Sequence, residues 1–300
     1  MTDTAAHHQI IVGVDGSVSA LHAVRWAARE AARRHLPLRL YHACVLPPAA
    51  PHVAKESRDG VVEGLIEQGH EWLRAAEWEA RDLAPAIEVH RELRVGTASA
   101  LLIDQSRHAR LVVLGSRGLG GFEGMLVGSV SVALAAHGHC PVVVVRGHTP
   151  QDPPPEGGPV LVGVDGSPVS DAAVAFAFEE ASLREVGLVA VHTWTDMSVG
   201  ETWSVLPFDI DYDAVAEDER RLLAERMTGW REKYPDVSVR EVVLRDRPVR
   251  GLLKEAESAQ LIVVGSRGRG AMTGMGLGST SQALLHHSVC PVAVVRPAVR

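Results

Sequence analysis

The sequence is poor in several kinds of residue, and each shortage narrows the range of functions. Only three of its 30 basic residues are lysines, the net charge is −7, and basic residues form no block. This charge pattern argues against a general nucleic-acid binder. The apolar runs, such as 111–114 and 142–145, are far too short to span a bilayer. We therefore expect neither nucleic acid nor a membrane among the partners.

Cysteine is also scarce, and its distribution predicts the compartment. The cysteines are Cys44, Cys140 and Cys290, without a C-x-x-C spacing. Isolated cysteines of this kind are typical of reduced thiols in a cytoplasmic protein. The amino terminus, MTDTAAHHQ, has no basic segment followed by an apolar run, so we expect no signal peptide. His, Cys and Asp residues do not recur at metal-ligand spacing, and we predict no metal-binding residue.

Two familiar nucleotide motifs are missing as well. The sequence lacks G-x4-G-K-[ST], and no G-x-G-x-x-G follows the first predicted strand. The first absence removes the usual P-loop lysine, and the second argues against a dinucleotide-dependent enzyme.

What the chain does contain is a long internal repeat. Residues 110–146 and 260–296 align without a gap and are identical at 21 of 37 positions, at a fixed offset of 150 residues. A repeat of this length indicates two copies of one domain. The segment 148–158 is rich in proline and glycine and predicts a linker. We therefore expect domains at 1–147 and 159–300.

Each half alternates strand and helix patterns. Near-continuous apolar runs at 9–15 and 160–165 are typical of strands buried on both faces of a parallel sheet. The alternation predicts an α/β fold with helices on both faces of a five-stranded parallel sheet in each half, a doubly wound arrangement. Ser17 or Ser19 is expected to cap the first helix.

The glycine-rich part of the repeat predicts a phosphate site. Gly115, Gly118 and Gly128 follow the fourth strand and precede a helix that opens at Ser129. Glycines allow close approach or a positive φ, and a helix amino terminus favours an anion. Ser129 and Ser131 can add hydroxyl donors. Arg117 and its counterpart Arg267 either neutralise phosphate or are solvated loop residues, and the sequence leaves both interpretations open.

Asp15 and Asp165 end the first strand of each half and point to a second part of the ligand. A carboxylate would repel phosphate, so it must meet either sugar hydroxyls or a bridging cation. Both alternatives imply a nucleotide. Gly13 and Gly163 leave room for its flat part. For His42 and His192, in the second strand of each half, core packing or dipole pairing is favoured over metal binding or acid–base chemistry.

These motifs carry a family resemblance. The segments VGVDGS at 12–17 and 162–167, the pattern G-x2-G-x9-G-[ST] at 115–129 and 265–279, and the final C-P-V-x-V-V strand resemble the universal stress protein family in its tandem form. The resemblance implies strand order 3-2-1-4-5, ATP in the crevice, with or without magnesium, and an adenine contact through the backbone of Ala43 and Thr193. The expected ligand-binding residues are Gly13, Asp15, Ala43, Gly115, Ser116, Arg117, Gly118, Gly128, Ser129 and Val130, with Gly163, Asp165, Thr193, Gly265, Ser266, Arg267, Gly268, Gly278, Ser279 and Thr280 in the second half.

The expected function is that of an ATP-binding stress-response regulator that signals through nucleotide occupancy to an unidentified protein partner. No catalytic residue is predicted. The alternatives are a slow ATP hydrolase or nucleotidyl-transfer enzyme, and a structural protein with a vestigial site. Loop differences, such as Leu119 against Arg269, put equal affinity at the two sites in doubt.

The fifth strand of each half, 142–146 and 292–296, should form a sheet edge if the order is 3-2-1-4-5. An apolar edge strand invites pairing with another strand. We expect the two halves to form an intramolecular pseudo-dimer through these strands, with a homodimer of the whole chain beyond it.

Overall fold

The computed structural model describes residues 9–46, 55–119, 127–149, 151–195, 211–268 and 276–297. Residues 1–154 form most of one compact unit and residues 155–290 most of the other, so the main division falls at Pro155, inside the predicted linker. The bounds 1–147, 148–158 and 159–300 stay a prediction. Within the described ranges, no helix combines the length and the apolar character that crossing a membrane requires.

The first unit is a parallel sheet with helices between its strands. Its strands run in the order β3-β2-β1-β4-β5, and all four neighbouring pairs are parallel. The predicted order 3-2-1-4-5 is confirmed. The elements are β1 (Ile10–Gly13), α1 (Val18–Arg34), β2 (Leu38–Cys44), α2 (Lys55–Leu83), β3 (Val89–Val95), α3 (Ala98–Gln105), β4 (Leu111–Gly115), α4 (Ser129–His137) and β5 (Val142–Val145).

The second unit repeats this architecture. Its strand order is β8-β7-β6-β9-β10, which is 3-2-1-4-5 read from its own first strand. Strand β6 is parallel to both of its neighbours, and β7 is parallel to β8. The elements are β6 (Val160–Val164), α5 (Pro168–Leu183), β7 (Leu188–Trp194), α6 (Tyr212–Lys233), β8 (Val239–Arg245), α7 (Pro248–Ala256), β9 (Leu261–Gly265), α8 (Ser279–His287) and β10 (Val292–Val295).

Local sequence explains where these elements begin. Ser17 caps α1, because its hydroxyl oxygen accepts a hydrogen bond from the amide of Ala20, and the alternative cap, Ser19, is not used. Ser167 caps α5 in the same way, and Pro168 takes the first helical position, where a missing N–H costs nothing. Helix α2 begins at Lys55.

A buried ion pair closes the carboxyl end of the first helix in each unit. The carboxylate of Glu30 is fully buried and lies 2.6 Å from Nε of Arg34. In the second unit Glu180 pairs with Arg184 at 2.9 Å. The helical spacing of these residues is visible in the sequence, but their burial is not. Because both members of each pair are out of solvent, removing one would leave an uncompensated buried charge.

The chain order of the strands reverses between β1 and β4, and between β6 and β9. In an open parallel sheet the crevice beyond the carboxyl ends of the strands at this reversal is where ligands bind. The residues that follow β1 and β4 therefore face each other in one place.

Candidate functional site

A cavity of about 430 Å³ lies at the β1–β4 reversal of the first unit. This volume is within the usual range for small-molecule sites. Nine of the ten predicted residues of this half line the cavity, which brings them together as expected. They are Gly13, Asp15, Ala43, Gly115, Arg117, Gly118, Gly128, Ser129 and Val130. The tenth, Ser116, has a fully buried side chain whose hydroxyl lies 3.4 Å from that of Ser19.

Asp15 ties the end of β1 to the loop after β4. One carboxylate oxygen accepts hydrogen bonds from the amide and the hydroxyl of Ser17, at 3.1 and 2.7 Å. The other accepts from the amide of Leu119 at 3.1 Å. A carboxylate has about four acceptor positions, so Asp15 retains capacity for a ligand hydroxyl or a cation while its orientation is fixed.

The glycines after β4 are required by close contacts. A Cβ on Gly115 would lie 2.6 Å from the backbone carbon of Ser19, at the start of α1. A Cβ on Gly118 would overlap the Asp15 carboxylate. The described residues with a positive φ include neither of these glycines. Of the two roles that the sequence leaves open for these glycines, close approach is the one that applies at both positions.

Helix α4 presents its amino terminus to the cavity. Its N-cap is Gly128, so no side chain occupies the amide groups of the first turn. The amide of Gly128 donates to the carbonyl of Ser116 at 2.7 Å and fixes the entry of the helix. Free amides and the helix dipole together favour an anion. Ser129 is exposed here, whereas the hydroxyl of Ser131 donates to the carbonyl of Gly115 at 2.9 Å, so Ser131 braces the loop.

An apolar wall faces these polar groups, and the sequence analysis missed most of it. Tyr41, Leu102, Leu114 and Val127 line the cavity. Tyr41 is 2% exposed, and burial raises the pKa of its hydroxyl. Since alternate strand residues share a face, Tyr41 could have been placed beside Ala43 from the sequence alone. A wall of this kind suits a flat, poorly hydrated group.

The second unit repeats the polar framework. Asp165 accepts from the amide and the hydroxyl of Ser167 at 2.9 and 2.7 Å. The amide of Gly278 donates to Ser266 at 2.8 Å, and a Cβ on Gly268 would lie 2.5 Å from the Asp165 carboxylate. The segments that carry the prediction are therefore placed as in the first unit.

The remaining predicted residues of this half lie around that framework. Gly163 faces the side chains of Leu252 and Val264, and Thr193 lies beside Gly251. Gly265 packs against Val169. Ser279 and Thr280 open α8, and Arg267 is exposed on the loop after β9.

The two units differ in the contacts of a buried histidine next to the site aspartate. In both, Nδ1 of a buried histidine, His42 or His192, lies 2.7 Å from the carbonyl that precedes the aspartate. In the second unit Nε2 of His192 also lies 2.9 Å from the carboxylate of Glu219. The equivalent of Glu219 in the first unit is Gly69, where a Cβ would meet the ring of His42.

Because a backbone carbonyl can only accept a hydrogen bond, Nδ1 is the donor in both histidines. Both histidines pack in the core, and each holds the backbone just before the site aspartate.

The site offers little to a metal ion by itself. Among the described residues, no group of three or more His, Cys, Asp or Glu side chains could hold one. A cation at this site would therefore have to be held jointly by Asp15 and the ligand.

Comparison with known proteins agrees with this architecture. The sequence model of the universal stress protein family matches residues 7–146 and 158–296. A universal stress protein of Mycobacterium tuberculosis (strain H37Rv) is 43% identical over 291 residues, 96% of each chain. The crystal structure of a universal stress protein from Archaeoglobus fulgidus covers 98% of this chain and 99% of its own, with a TM-score of 0.68 and 18% identity.

One further structure, a universal stress protein in complex with cAMP, covers 47% of this chain and 98% of its own, with a TM-score of 0.37 and 26% identity.

We predict that the His192–Glu219 contact stabilises the second unit. Glu219→Ala should lower the free energy of unfolding by about 1–2 kcal/mol, because a partly buried hydrogen bond to a charged group is lost. Chemical denaturation followed by circular dichroism measures this change. The matched control is Glu217→Ala on the same helix, which removes an exposed pair with Arg220 and should cost less than about 0.5 kcal/mol. Equal effects of the two variants would contradict the assignment.

Proposed function

Since this chain belongs to the universal stress protein family, we propose that each of its two units binds one adenine nucleotide. The resemblance expected from the sequence is confirmed, while nucleotide binding is our inference. The observation that carries it is the convergence of Asp15, the glycine loop and the amino terminus of α4 on one cavity with an apolar wall. Asp15 suits a sugar or a cation, the glycine loop and the helix terminus suit a phosphate, and the apolar wall suits a base.

The proposed ligand is ATP, with its phosphates at the helix terminus and its adenine against the wall near Ala43 and Leu102. Magnesium, if it accompanies ATP, would be held by Asp15 together with the phosphates and would neutralise their charge. Sugar hydroxyls are the other candidate partner of Asp15. The proposed activity is regulatory: occupancy changes the protein's interaction with a partner.

The cysteines support a cytoplasmic location as part of this proposal. All three are buried, and none forms a disulfide bond. Burial raises the pKa of Cys44, and it raises that of Cys140 to about 12. Thiols that are kept from solvent and outside disulfides suit a reducing compartment.

The first prediction concerns stoichiometry. Isothermal titration of the full chain with ATP should show two sites. Asp15→Ala should weaken only the first and Asp165→Ala only the second, each by about tenfold or more, equivalent to about 1.4 kcal/mol. Asp82→Ala, which removes an exposed carboxylate on α2, is the control. Two unchanged sites in the Asp15→Ala, Asp165→Ala double variant would contradict the proposal.

The same titration separates the two roles of Asp15. If the carboxylate holds a cation, omitting magnesium should weaken ATP binding to the wild type and leave Asp15→Ala unaffected. If it holds the sugar hydroxyls, 2′,3′-dideoxy-ATP should bind the wild type as weakly as ATP binds the variant.

The second prediction is that ATP is not turned over at enzymatic rates. In the first cavity Asp15 is the one carboxylate among the described lining residues, and both of its oxygens accept hydrogen bonds from the protein. We expect phosphate release far below the rate of about 1 s⁻¹ that marks a slow working enzyme. Release at ordinary rates, lost in the Asp15→Ala, Asp165→Ala double variant, would favour the hydrolase alternative.

The third prediction concerns assembly. We propose that β5 and β10 pair to form an intramolecular pseudo-dimer, and that two chains form a homodimer. Each of these strands is the fifth of the five in the order of its own unit, and a short apolar strand in that position favours pairing. Amides of β5 and β10 that do not bond to β4 or β9 should then exchange slowly with deuterium, and light scattering should give twice 32.2 kDa.

Fast exchange of those amides would contradict the pseudo-dimer. A solution mass of 32.2 kDa would contradict the homodimer.

A further inference from the structure

Arg296 lies where the second unit would receive the phosphates of a nucleotide. It directly follows β10, and its Nη2 donates to the carbonyl of Gly276 at 2.7 Å. Gly276 is two residues before Gly278, the N-cap of α8. The side chain therefore holds the end of the glycine-rich loop at the point where the helix opens.

Arg296 is also adjacent to the beginning of the same loop. The carbonyl of Val295 accepts a hydrogen bond from the amide of Ser266 at 2.8 Å. Arg267 directly follows Ser266, and Arg296 directly follows Val295. The two arginines are thus placed side by side at the carboxyl ends of neighbouring strands.

The electrostatic surroundings of Arg296 are unfavourable in the free protein. Burial, and then the positive charge of Arg267, lower the pKa of its guanidinium. Its Nε is buried, with no hydrogen-bond acceptor among the described residues. A buried donor without an acceptor costs free energy, and a neighbouring like charge adds to the cost. An anion bound between the two arginines would relieve both.

The neighbouring backbone fits the same anion. Gly278 leaves the first turn of α8 without a side-chain cap, and its Cβ position is 3.3 Å from the Cα of Arg267. The carboxylate of Asp165 lies at Gly268 and accepts from Ser167. The two arginines and the helix terminus therefore lie at one part of the loop, and the Asp165 carboxylate lies at another. A nucleotide fits this arrangement if its sugar lies near the carboxylate and its phosphates lie near the positive groups.

We propose that Arg267 and Arg296 bind the terminal phosphates of the nucleotide in the second unit. This site then selects nucleoside di- and triphosphates over monophosphates and cyclic nucleotides. The inference rests on the proposed nucleotide binding, and it adds how many phosphate groups the bound nucleotide carries. The first unit has arginines at the matching positions, Arg117 and Arg146, but Arg146 is only 7% exposed, whereas Arg296 is half-buried.

The test uses the full chain with Asp15→Ala, so that the first site is weakened and the second site dominates the titration. Affinities for ATP, ADP, AMP and cAMP are measured by isothermal titration before and after Arg296→Gln. Glutamine keeps a donor for the carbonyl of Gly276 and removes the charge. ATP binding should weaken about tenfold, the size of one charge-assisted hydrogen bond, while AMP and cAMP binding should change less than about twofold.

Two further variants complete the design. Arg267→Gln, at an exposed position, should give the same pattern with little risk to folding. Arg240→Gln removes an exposed arginine of the same unit that pairs with Glu255, and it should change the affinity of none of the four ligands.

The outcomes separate the two proposals. Equal weakening of ATP and AMP, or no change for either in both variants, would overturn the phosphate assignment while leaving nucleotide binding intact. If the Asp15→Ala chain binds none of the four ligands, nucleotide binding by the second unit fails, and the phosphate assignment fails with it.

Discussion

The carboxylate of Asp15 joins parts of the chain that are far apart in sequence, and the geometry of the first site depends on this contact. It accepts from Ser17, two residues on, and from Leu119, 104 residues on. The Ser17 hydroxyl in turn lies 3.2 Å from the carbonyl of Arg117. The end of β1, the start of α1 and the loop after β4 are therefore fixed to one another before any ligand arrives. Such preorganisation reduces the entropy lost on binding.

Much of this arrangement could be predicted, because it follows from local patterns that occur twice. Apolar runs gave the strands, the 150-residue offset gave the tandem organisation, and the family motifs gave the strand order and nine residues of the first cavity. The reason for the glycines was harder to predict. A glycine needed for close approach and one needed for a positive φ look the same in a sequence, and only the packing of Gly115 against Ser19 distinguishes them.

The remaining features depend on contacts between side chains of different elements, which no local pattern encodes. The pairing of Glu30 with Arg34 matches ordinary helical spacing, but nothing in the sequence shows that the pair is buried. Likewise, Glu219 reaches His192 only because α6 packs against β7. The two units share their backbone hydrogen bonds and the buried glutamate–arginine pair, and they differ at the buried histidine, which among the described residues meets a carboxylate only in the second unit. Duplication has kept the framework that shapes the sites and has allowed the charges around them to diverge.

The burial of the cysteines limits how this protein could respond to its surroundings. A thiol must ionise and meet its oxidant before it can form a sulfenic acid or a mixed disulfide. Cys140, with a pKa of about 12, carries almost no thiolate at physiological pH, and Cys290 is fully buried beside Ser288. Peroxide would thus find no reactive sulfur at these two positions, even while it altered the chemistry of the cell. A change in peroxide concentration would therefore have to act on this protein at some place other than these two thiols.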